Sequence, residues 1–475
     1  MNAFPQPKTL DFHILEVPVK IPVATPYKFA YGTAALLAAV LWLCFTASQA
    51  TSEMEHAFKT IGKDCAPSIV AAQEVRMELA DLDGNTINTF IAAPNSTEMK
   101  EALEAIDTRN GEIASTLVKA AENITFGDSE RTPITTMTQD VGVYQSLMAE
   151  AKIYNQESEE ETDPQNRINK KKASVKKAQE GTKILHDGML PAADSLDKAN
   201  YDVFQLTYEG HKGNMKKAIF LGAAVMTLAA LVLFQIYLLR KTKRIINLPI
   251  VAATMIALLY TVGNVARLYQ KEAVLHSAVY DAFASIYALW HARAIAYDSN
   301  GEESRWLYDP SGKPTYEANF YHKVNQIVET DSHQYQKDQV LAVLANPRNT
   351  KGYLADELRN ITFQGEGDAA SDTTKRFADY LGIDADIRKL ENDGKHKEAI
   401  ALCLSTSPGG SNYVFAQFDD ALKKTIDINQ SQFDEKIADG INAFAGFQWI
   451  HYVAALLLCG LIAAGIWPRI QEYHR

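Results

Sequence analysis

Two arginines, Arg76 and Arg293, are the side chains best suited to binding chemistry, because they occupy matching positions in two long helical stretches. A guanidinium group presents a rigid fork of N–H donors that can hold a ligand carboxylate at two points. Each arginine is followed five residues later by an aspartate, Asp81 or Asp298. A structural ion pair with that aspartate, or simple solvation, is favoured over a ligand clamp.

The sequence contains no constellation that defines a catalytic or metal centre. The motifs of zinc proteases, serine hydrolases, P-loop proteins, kinases and dithiol proteins do not occur, and the histidines are scattered, with His276 and His291 fifteen residues apart. We therefore predict that the protein is not an enzyme and carries no cofactor and no metal. The net charge of -11 argues against a nucleic-acid partner.

Four cysteines are few for a domain held together by disulfides. Cys44 and Cys459 lie in apolar stretches, whereas Cys65 and Cys403 lie one in each of two long polar segments. A bridge between Cys65 and Cys403 remains open, but two separate buried thiols are favoured.

Four stretches that lack Asp, Glu, Lys and Arg divide the 475-residue chain. Each is long enough to cross a hydrocarbon core as a helix of about 20 residues. Because a soluble helix of this length rarely lacks charge, we predict an integral membrane protein with four transmembrane helices. The predicted spans are residues 29–52, 218–239, 245–266 and 447–468.

Basic residues favour the cytoplasmic side of a membrane, which orients these spans. The hairpin 240–244, between the second and third spans, is mostly basic, so this hairpin, the tail 1–28 and the tail 469–475 are predicted to be cytoplasmic. The segments 53–217 and 267–446 then lie outside the cell. The hairpin either docks a cytoplasmic partner or anionic lipid, or serves topology alone. Its candidate contact residues are Arg240, Lys241, Lys243 and Arg244.

The two external segments share sequence features in the same order, which indicates an internal duplication. The motif Asn-Ile-Thr-Phe begins at Asn123 and again at Asn360, and four residue identities before it recur at one constant offset. Those four pairs are Ser68 and Ser285, Arg76 and Arg293, Asp81 and Asp298, and Gly84 and Gly301.

The apolar residues of both segments recur at three- and four-residue steps, which predicts helices that pack through coiled-coil-like seams. Loop signals divide each segment into about four helices, so the fold class is all-α, with two tandem extracytoplasmic four-helix bundles. The first helix should continue out of the membrane, with a kink at Pro67. Asn200 and Asn429 are either buried amides near a seam or surface residues.

The passage "RFADYLGIDADIRKLENDGKHKEAIALCLSTS" at 376–407 resembles the four-helix-bundle sensory domains of bacterial chemoreceptors. The whole layout, with four spans, two external helical domains and no cytoplasmic output domain, resembles the actinobacterial GlnX-type membrane proteins. That resemblance implies a relay between an extracytoplasmic glutamate- and aspartate-binding lipoprotein, GlnH, and a soluble serine/threonine kinase, PknG. It identifies no functional residue by position.

The sequence therefore predicts a plasma-membrane signal transducer that senses amino acids through a solute-binding lipoprotein and signals to a cytoplasmic kinase, either as one chain or as a homo-oligomer. The alternative is a scaffold or accessory subunit of the cell envelope that does not switch. A transporter is less well supported, because His451 is the one ionisable residue in the spans, and transport paths usually need several polar groups.

Overall fold

The structure, a computed structural model, describes residues 9–14, 17–22, 25–212, 215–242, 246–329 and 337–471. Lys243 and Arg244 of the predicted contact lie outside the described residues. Helices dominate, and the first two elements form an antiparallel hairpin, β1 and β2, that the sequence did not suggest. The strands are β1 Thr9–Ile14 and β2 Val17–Pro22.

The α-helices of the first half of the chain are α1 Thr25–Lys59, α2 Ala66–Ile91, α3 Thr97–Glu122, α4 Asp128–Glu160, α5 Pro164–Ile184, α6 Leu190–Lys212 and α7 Met215–Thr242. Those of the second half are α8 Leu248–His276, α9 Ala284–Tyr308, α10 Lys313–Ile327, α11 Lys337–Ala345, α12 Tyr353–Arg359, α13 Glu366–Asn392, α14 His396–Leu404, α15 Ser411–Phe444 and α16 Gln448–Gln471. Short π-helical segments occupy Thr60–Cys65, Leu185–Met189 and Ser277–Phe283, and a 3₁₀ turn occupies Pro347–Asn349.

The chain folds into two compact units. Unit 1 comprises residues 1–59, 208–275 and 438–475, and unit 2 comprises residues 60–207 and 276–437. Unit 2 therefore contains most of both segments that the sequence assigned to separate bundles. Within it, the second segment is divided into more and shorter helices than the first.

Unit 1 contains the four predicted spans, and the prediction of four helices long and apolar enough to cross a membrane is confirmed. These helices are α1, α7, α8 and α16, which share one apolar core. His451 links three of them, because its Nε2 lies 2.9 Å from the Thr51 hydroxyl and its Nδ1 lies 2.6 Å from the Tyr260 hydroxyl. His451, the single histidine in the predicted spans, thus joins α1, α8 and α16 through hydrogen bonds.

A turn at residues 445–447 separates α15 from α16. Gly446 occupies the left-handed region there, with φ 71°, which glycine adopts without a Cβ penalty. Arg267 supports the turn from α8, because it donates to the Ala443 carbonyl at 2.7 Å and lies 4.2 Å from the centre of the Phe447 ring. Helix α15 therefore ends before the fourth span, and α16 begins after the turn.

A π-helical segment follows α1 and another follows α8, at positions that correspond in the two halves of the chain. The kink predicted at Pro67 is replaced by π-helical geometry just before that proline, which lies in the first turn of α2. The second segment, Ser277–Phe283, contains no proline. Proline therefore does not explain the π-helical geometry, which often marks functional positions in helices.

The repeated Asn-Ile-Thr-Phe motif binds two of the π-helical regions of unit 2, those that follow α1 and α8. Asn123 Nδ2 lies 3.0 Å from the Asp64 carbonyl and 2.7 Å from the Ser68 hydroxyl. Asn360 Nδ2 lies 3.0 Å from the Asp281 carbonyl and 3.0 Å from the Ser285 hydroxyl. The motif thus has the same role in both halves of the chain. Its asparagine amide donates hydrogen bonds to a carbonyl group and a serine hydroxyl at each of these two π-helical segments.

An acidic residue closes each motif loop. Glu130 accepts hydrogen bonds from the backbone N–H groups of Thr125 and Phe126, and Glu366 accepts the equivalent pair from Thr362 and Phe363. Both glutamates are buried, so these bonds fix the loop against the interior. Each glutamate is therefore a structural clamp on its loop.

Replacing Asn360 with Ala should lower the free energy of unfolding by about 1–3 kcal/mol, because buried acceptors lose their donor. Thermal unfolding of the purified protein measures this loss, and hydrogen exchange should rise in Ser277–Phe283. Asn110→Ala is the matched control, since Asn110 only accepts an exposed bond from Gln145. Equal effects of the two substitutions would contradict the assigned role.

Candidate functional site: a buried ion network in unit 2

Helix α9 is enclosed on nearly every side, with only Ala284, Tyr287 and Asn300 not fully buried. A helix buried all round is normally apolar, but this one carries six ionisable side chains inside the protein. Buried charges cost several kcal/mol each unless they are paired. The six residues are His291, Arg293, Asp298, Glu302, Glu303 and Arg305.

Arg305 is the centre of the ion network. Its side chain is 3% exposed, its Nη1 donates to Asp83 on α2, and its Nη2 lies 3.1 Å from Glu302. Tyr144 on α4 donates to the other oxygen of Asp83 at 2.8 Å. One guanidinium thus links α2 and α9 across the interior of unit 2.

Lys323 on α10 contributes a second cation to the network. Its Nζ lies 2.8 Å from Asp298 and 2.6 Å from Glu302, and His186 Nε2 lies 3.0 Å from the same Asp298 oxygen. Burial alone would raise the pKa of Asp298, but Lys323, His186 and Arg305 together hold that pKa well below its ordinary value. The pKa of Glu302 is also lowered by Arg305 and Lys323 against the effect of burial.

His186, Asp298 and Glu302 offer ligand atoms close enough to one another for a metal ion. The Lys323 ammonium, however, already binds the same two carboxylates at hydrogen-bond distance. A metal ion placed there would have to displace this internal cation. The geometry is therefore better explained as an ion network than as a metal centre.

Two repeat-related glycines, Gly84 and Gly301, meet where α2 crosses α9. A Cβ added at Gly84 would lie 3.5 Å from the Gly301 Cα, so the two backbones approach closely. One turn further along, Ser304 donates to Asn88 at 2.7 Å. Gly301 leaves room beside the Arg305 guanidinium, which reaches Asp83 near this crossing.

The arginines singled out from the sequence are in ion pairs, but with different aspartates from those expected. Arg76 pairs with Asp194 at 3.1 Å, and Arg293 forms a two-point pair with Asp419 at 2.6 and 2.8 Å. Asp81 pairs instead with Arg109. The expected partners were wrong because a residue five positions away on a helix points to another side, whereas neighbouring helices supply carboxylates directly.

Asn200 and Asn429 are both fully buried, so the surface alternative does not hold. The Nδ2 of each donates to the carbonyl four residues earlier, at 3.0 Å and 3.2 Å, and each Oδ1 lacks a hydrogen-bond partner. All four cysteines are free thiols, and Cys65 and Cys403 are both buried. The favoured interpretation of separate thiols is confirmed.

Two further glutamates lie buried outside the network. Burial raises the pKa of Glu303 to about 8, and its Oε1 accepts from Ser411 at 3.0 Å. Burial and the neighbouring Glu366 carboxylate raise the pKa of Glu357 to about 8 as well. Burial therefore favours the protonated form of both glutamates.

The basic hairpin is described only in part. Arg240 and Lys241 lie in the last turn of α7, where both are exposed. Basic side chains at a helix carboxyl end also complement its dipole. No described contact tests the proposal that these residues bind a partner.

Sequence reasoning missed Asp83, Arg305 and Lys323. The run "DSNGEESR" at 298–305 was a usable signal, because it places acidic and basic residues on several faces of a helix that also carries many alanines and aromatics. Such a pattern indicates that partners for the charges must come from other elements. It does not say which elements those are.

Residues 57–209 match a family described as an actinobacterial sensor domain. This match covers less than half of the chain and corresponds to most of α2 through α6 with the preceding π-helical segment. No curated protein and no solved structure matches the chain. With the four apolar helices, the match supports a sensory, multi-pass membrane protein of actinobacterial type.

The two crossing glycines should respond differently to alanine. Gly84→Ala makes only ordinary contacts and should stabilise the protein by up to about 1 kcal/mol through helix propensity. Gly301→Ala places its Cβ 3.2 Å from Arg305 Nη1, so it should lose that gain or destabilise the protein. Thermal unfolding of both variants measures the difference, and equal stabilisation would contradict the tight packing around Arg305.

Glu357 should make stability depend on pH. The ordinary pKa of a glutamate is 4.5, and the pKa of Glu357 in the folded protein is about 8, so the folded state binds the proton more tightly than the unfolded state does. The contribution of this proton to the stability of the fold is therefore lost as pH rises from about 4.5 to about 8. Glu357→Gln should therefore raise the melting temperature, relative to the natural protein, more at pH 8 than at pH 5. Glu122→Gln, at an exposed position, is the control. An unchanged pH slope in Glu357→Gln would contradict this assignment.

Proposed function

We propose that the protein is a transmembrane signal transducer that relays extracytoplasmic sensing of glutamate or aspartate. In this proposal a solute-binding lipoprotein holds the amino acid and docks on unit 2, and a cytoplasmic serine/threonine kinase receives the signal. The sensor-domain match supports signal sensing in general. The particular ligand and partners come from the resemblance in layout to GlnX-type proteins.

The observation that carries the proposal is the pairing of α2 with α9. The helix that contains α2 is continuous along the chain with the first candidate span, and the one that contains α9 is continuous with the third. Both helices meet around the buried Arg305–Asp83 pair. A change in the packing of α2 against α9 would therefore act on two helices that lead to membrane spans.

A relay needs two arrangements that differ by only a few kcal/mol, so that differential binding of a partner can shift their populations. Polar contacts suit this task, because a buried ion pair with directional hydrogen bonds has few, discrete geometries. The π-helical segments after α1 and α8 supply positions where helix register can change. We infer that these segments are the joints of the relay.

The proposal places both large segments of the chain outside the cell and treats them as copies of one helical bundle. Two observations support the relationship between the copies. The Asn123 and Asn360 amides bind equivalent serines, and Gly84 and Gly301 contact each other. Two copies that face each other would give one chain the symmetry that a sensory homodimer obtains from two chains. Further oligomerisation is compatible with this arrangement.

On the cytoplasmic side, the proposal assigns kinase docking to Arg240, Lys241, Lys243 and Arg244. Four positive charges on a short hairpin would attract an acidic surface over a distance set by ionic strength. Docking should therefore weaken as salt rises. The same charges would also keep the hairpin close to anionic lipid.

A scaffold that does not switch is the second candidate, and the density of buried ion pairs favours it. Arg305, Arg293 and Arg388 each form an ion pair with buried or nearly buried acids within unit 2. Breaking one such pair costs about 3–5 kcal/mol, which would make unit 2 rigid. A rigid unit could hold an assembly together without transmitting a change.

The relay predicts that the kinase and the lipoprotein co-purify with the protein from native membranes and that glutamate or aspartate changes the amount of kinase recovered. Arg240→Glu with Lys241→Glu should reduce kinase recovery at least about tenfold and leave lipoprotein recovery unchanged, because only the cytoplasmic charge is reversed.

Arg131→Glu with Lys177→Glu is the matched control, since it reverses two charges in unit 2. Recovery of both partners regardless of amino acid would support the scaffold. Recovery of neither partner under any condition would reject the relay.

A further inference from the structure

A pocket of about 350 Å³ lies between α10 and α13 in unit 2. Its size is within the range of pockets that bind small molecules. Apolar and polar groups share its wall, and we name it the Arg388 pocket. Six of its lining residues enter the argument: Glu317, Phe320, Tyr321, Asp384, Ala385 and Arg388.

Arg388 is 6% exposed and only partly satisfied by the protein. Its Nε donates to Asp384 Oδ2 at 2.8 Å, but neither Nη1 nor Nη2 has a hydrogen-bond partner. Nη1 lies 3.9 Å from the carboxylate of Glu317 on the pocket wall, which is beyond hydrogen-bond length. A buried guanidinium edge that makes no hydrogen bonds is costly, and here it lies on the wall of a pocket.

Aromatic rings surround the guanidinium carbon of Arg388. The centres of the Trp306, Phe320 and Tyr321 rings lie 5.0, 4.7 and 5.3 Å from it. Ring faces stabilise the positive charge, but they do not replace in-plane acceptors for the N–H groups. The protein thus maintains a charged, preorganised fork whose outer donors have no hydrogen-bond partner within the protein.

A second unpaired group in the pocket wall has the opposite sign. Asp384 Oδ1 lacks a hydrogen-bond partner, although Asp384 Oδ2 binds Arg388. A simple anion would satisfy Arg388 and leave this oxygen unpaired. A simple cation would satisfy Asp384 and be repelled by Arg388. A ligand that carries both charges close together satisfies both residues at once.

We propose that the Arg388 pocket binds a small zwitterion with a carboxylate and an ammonium group on the same or adjacent carbon atoms, such as an α-amino acid. The carboxylate accepts from Nη1 and Nη2 of Arg388, and the ammonium donates to Asp384 Oδ1 with Glu317 nearby. Phe320 and Tyr321 cover the apolar part of the ligand. This goes beyond the relay function, in which the lipoprotein holds the amino acid.

Binding is measured by calorimetry on the full-length protein in nanodiscs, without lipoprotein or kinase, so the result is independent of the relay. The probes are the twenty standard amino acids and, for each one that binds, its amide and its deaminated acid. We expect at least one amino acid to bind and both analogues to bind at least about tenfold more weakly, because each lacks one charge.

Arg388→Lys keeps the charge beside Asp384 but removes the fork, and it should weaken binding at least about tenfold. Ala385→Trp fills the pocket from an exposed wall position without touching the ion pair, so it tests the site even if Arg388→Lys is unstable. Arg293→Lys, in a buried ion pair elsewhere in unit 2, is the matched control and should bind normally.

Three results would overturn the proposal. The first is that no standard amino acid binds at 10 mM, which is about the weakest useful affinity. The second is that the amide or the deaminated acid binds as tightly as the amino acid. The third is that Ala385→Trp binds the amino acid as tightly as the natural protein does.

Discussion

The pairing of Arg305 with Asp83 is the interaction on which the rest of unit 2 depends. It joins residues more than two hundred positions apart and lies where water cannot reach either charge. Removing one partner would leave an uncompensated charge in the interior, at a cost of about 3–5 kcal/mol. The glycines at the crossing, the Tyr144 hydroxyl and the Lys323 ammonium all serve to satisfy or position this pair.

This constraint joins the two halves of the chain more specifically than apolar packing would. An apolar contact can slide by a fraction of a turn at little cost, whereas an ion pair with a fixed hydrogen-bond geometry allows few arrangements. Helices α2 and α9 each follow a candidate span along the chain, with a π-helical segment between. The proposed relay uses this combination, which limits the helices to a few defined positions and provides a joint for moving between them.

The sequence predicted the spans, the helical character and the correspondence of the two Asn-Ile-Thr-Phe motifs, because periodicity, missing charge and short repeats are local patterns. It did not predict the partners of charged residues, since Asp194, Asp419 and Asp83 reach their arginines from distant elements whose packing no local pattern encodes. The sequence did not suggest the β1–β2 hairpin, and the π-helical segment before Pro67 was missed because the proline predicted a simple kink. The pocket around Arg388 depends on the packing of α10 and α13 and has no signature of its own.

A double-mutant cycle on Asp83 and Arg305 tests the central claim most directly. The variants are Asp83→Asn, Arg305→Met and the two together in the full-length protein, and the measurement is the free energy of unfolding of each. If the pair organises unit 2, the coupling energy should be about 2 kcal/mol or more, with the double variant less destabilised than the sum of the single ones. A coupling below about 0.5 kcal/mol, the level expected of independent sites, would contradict the account.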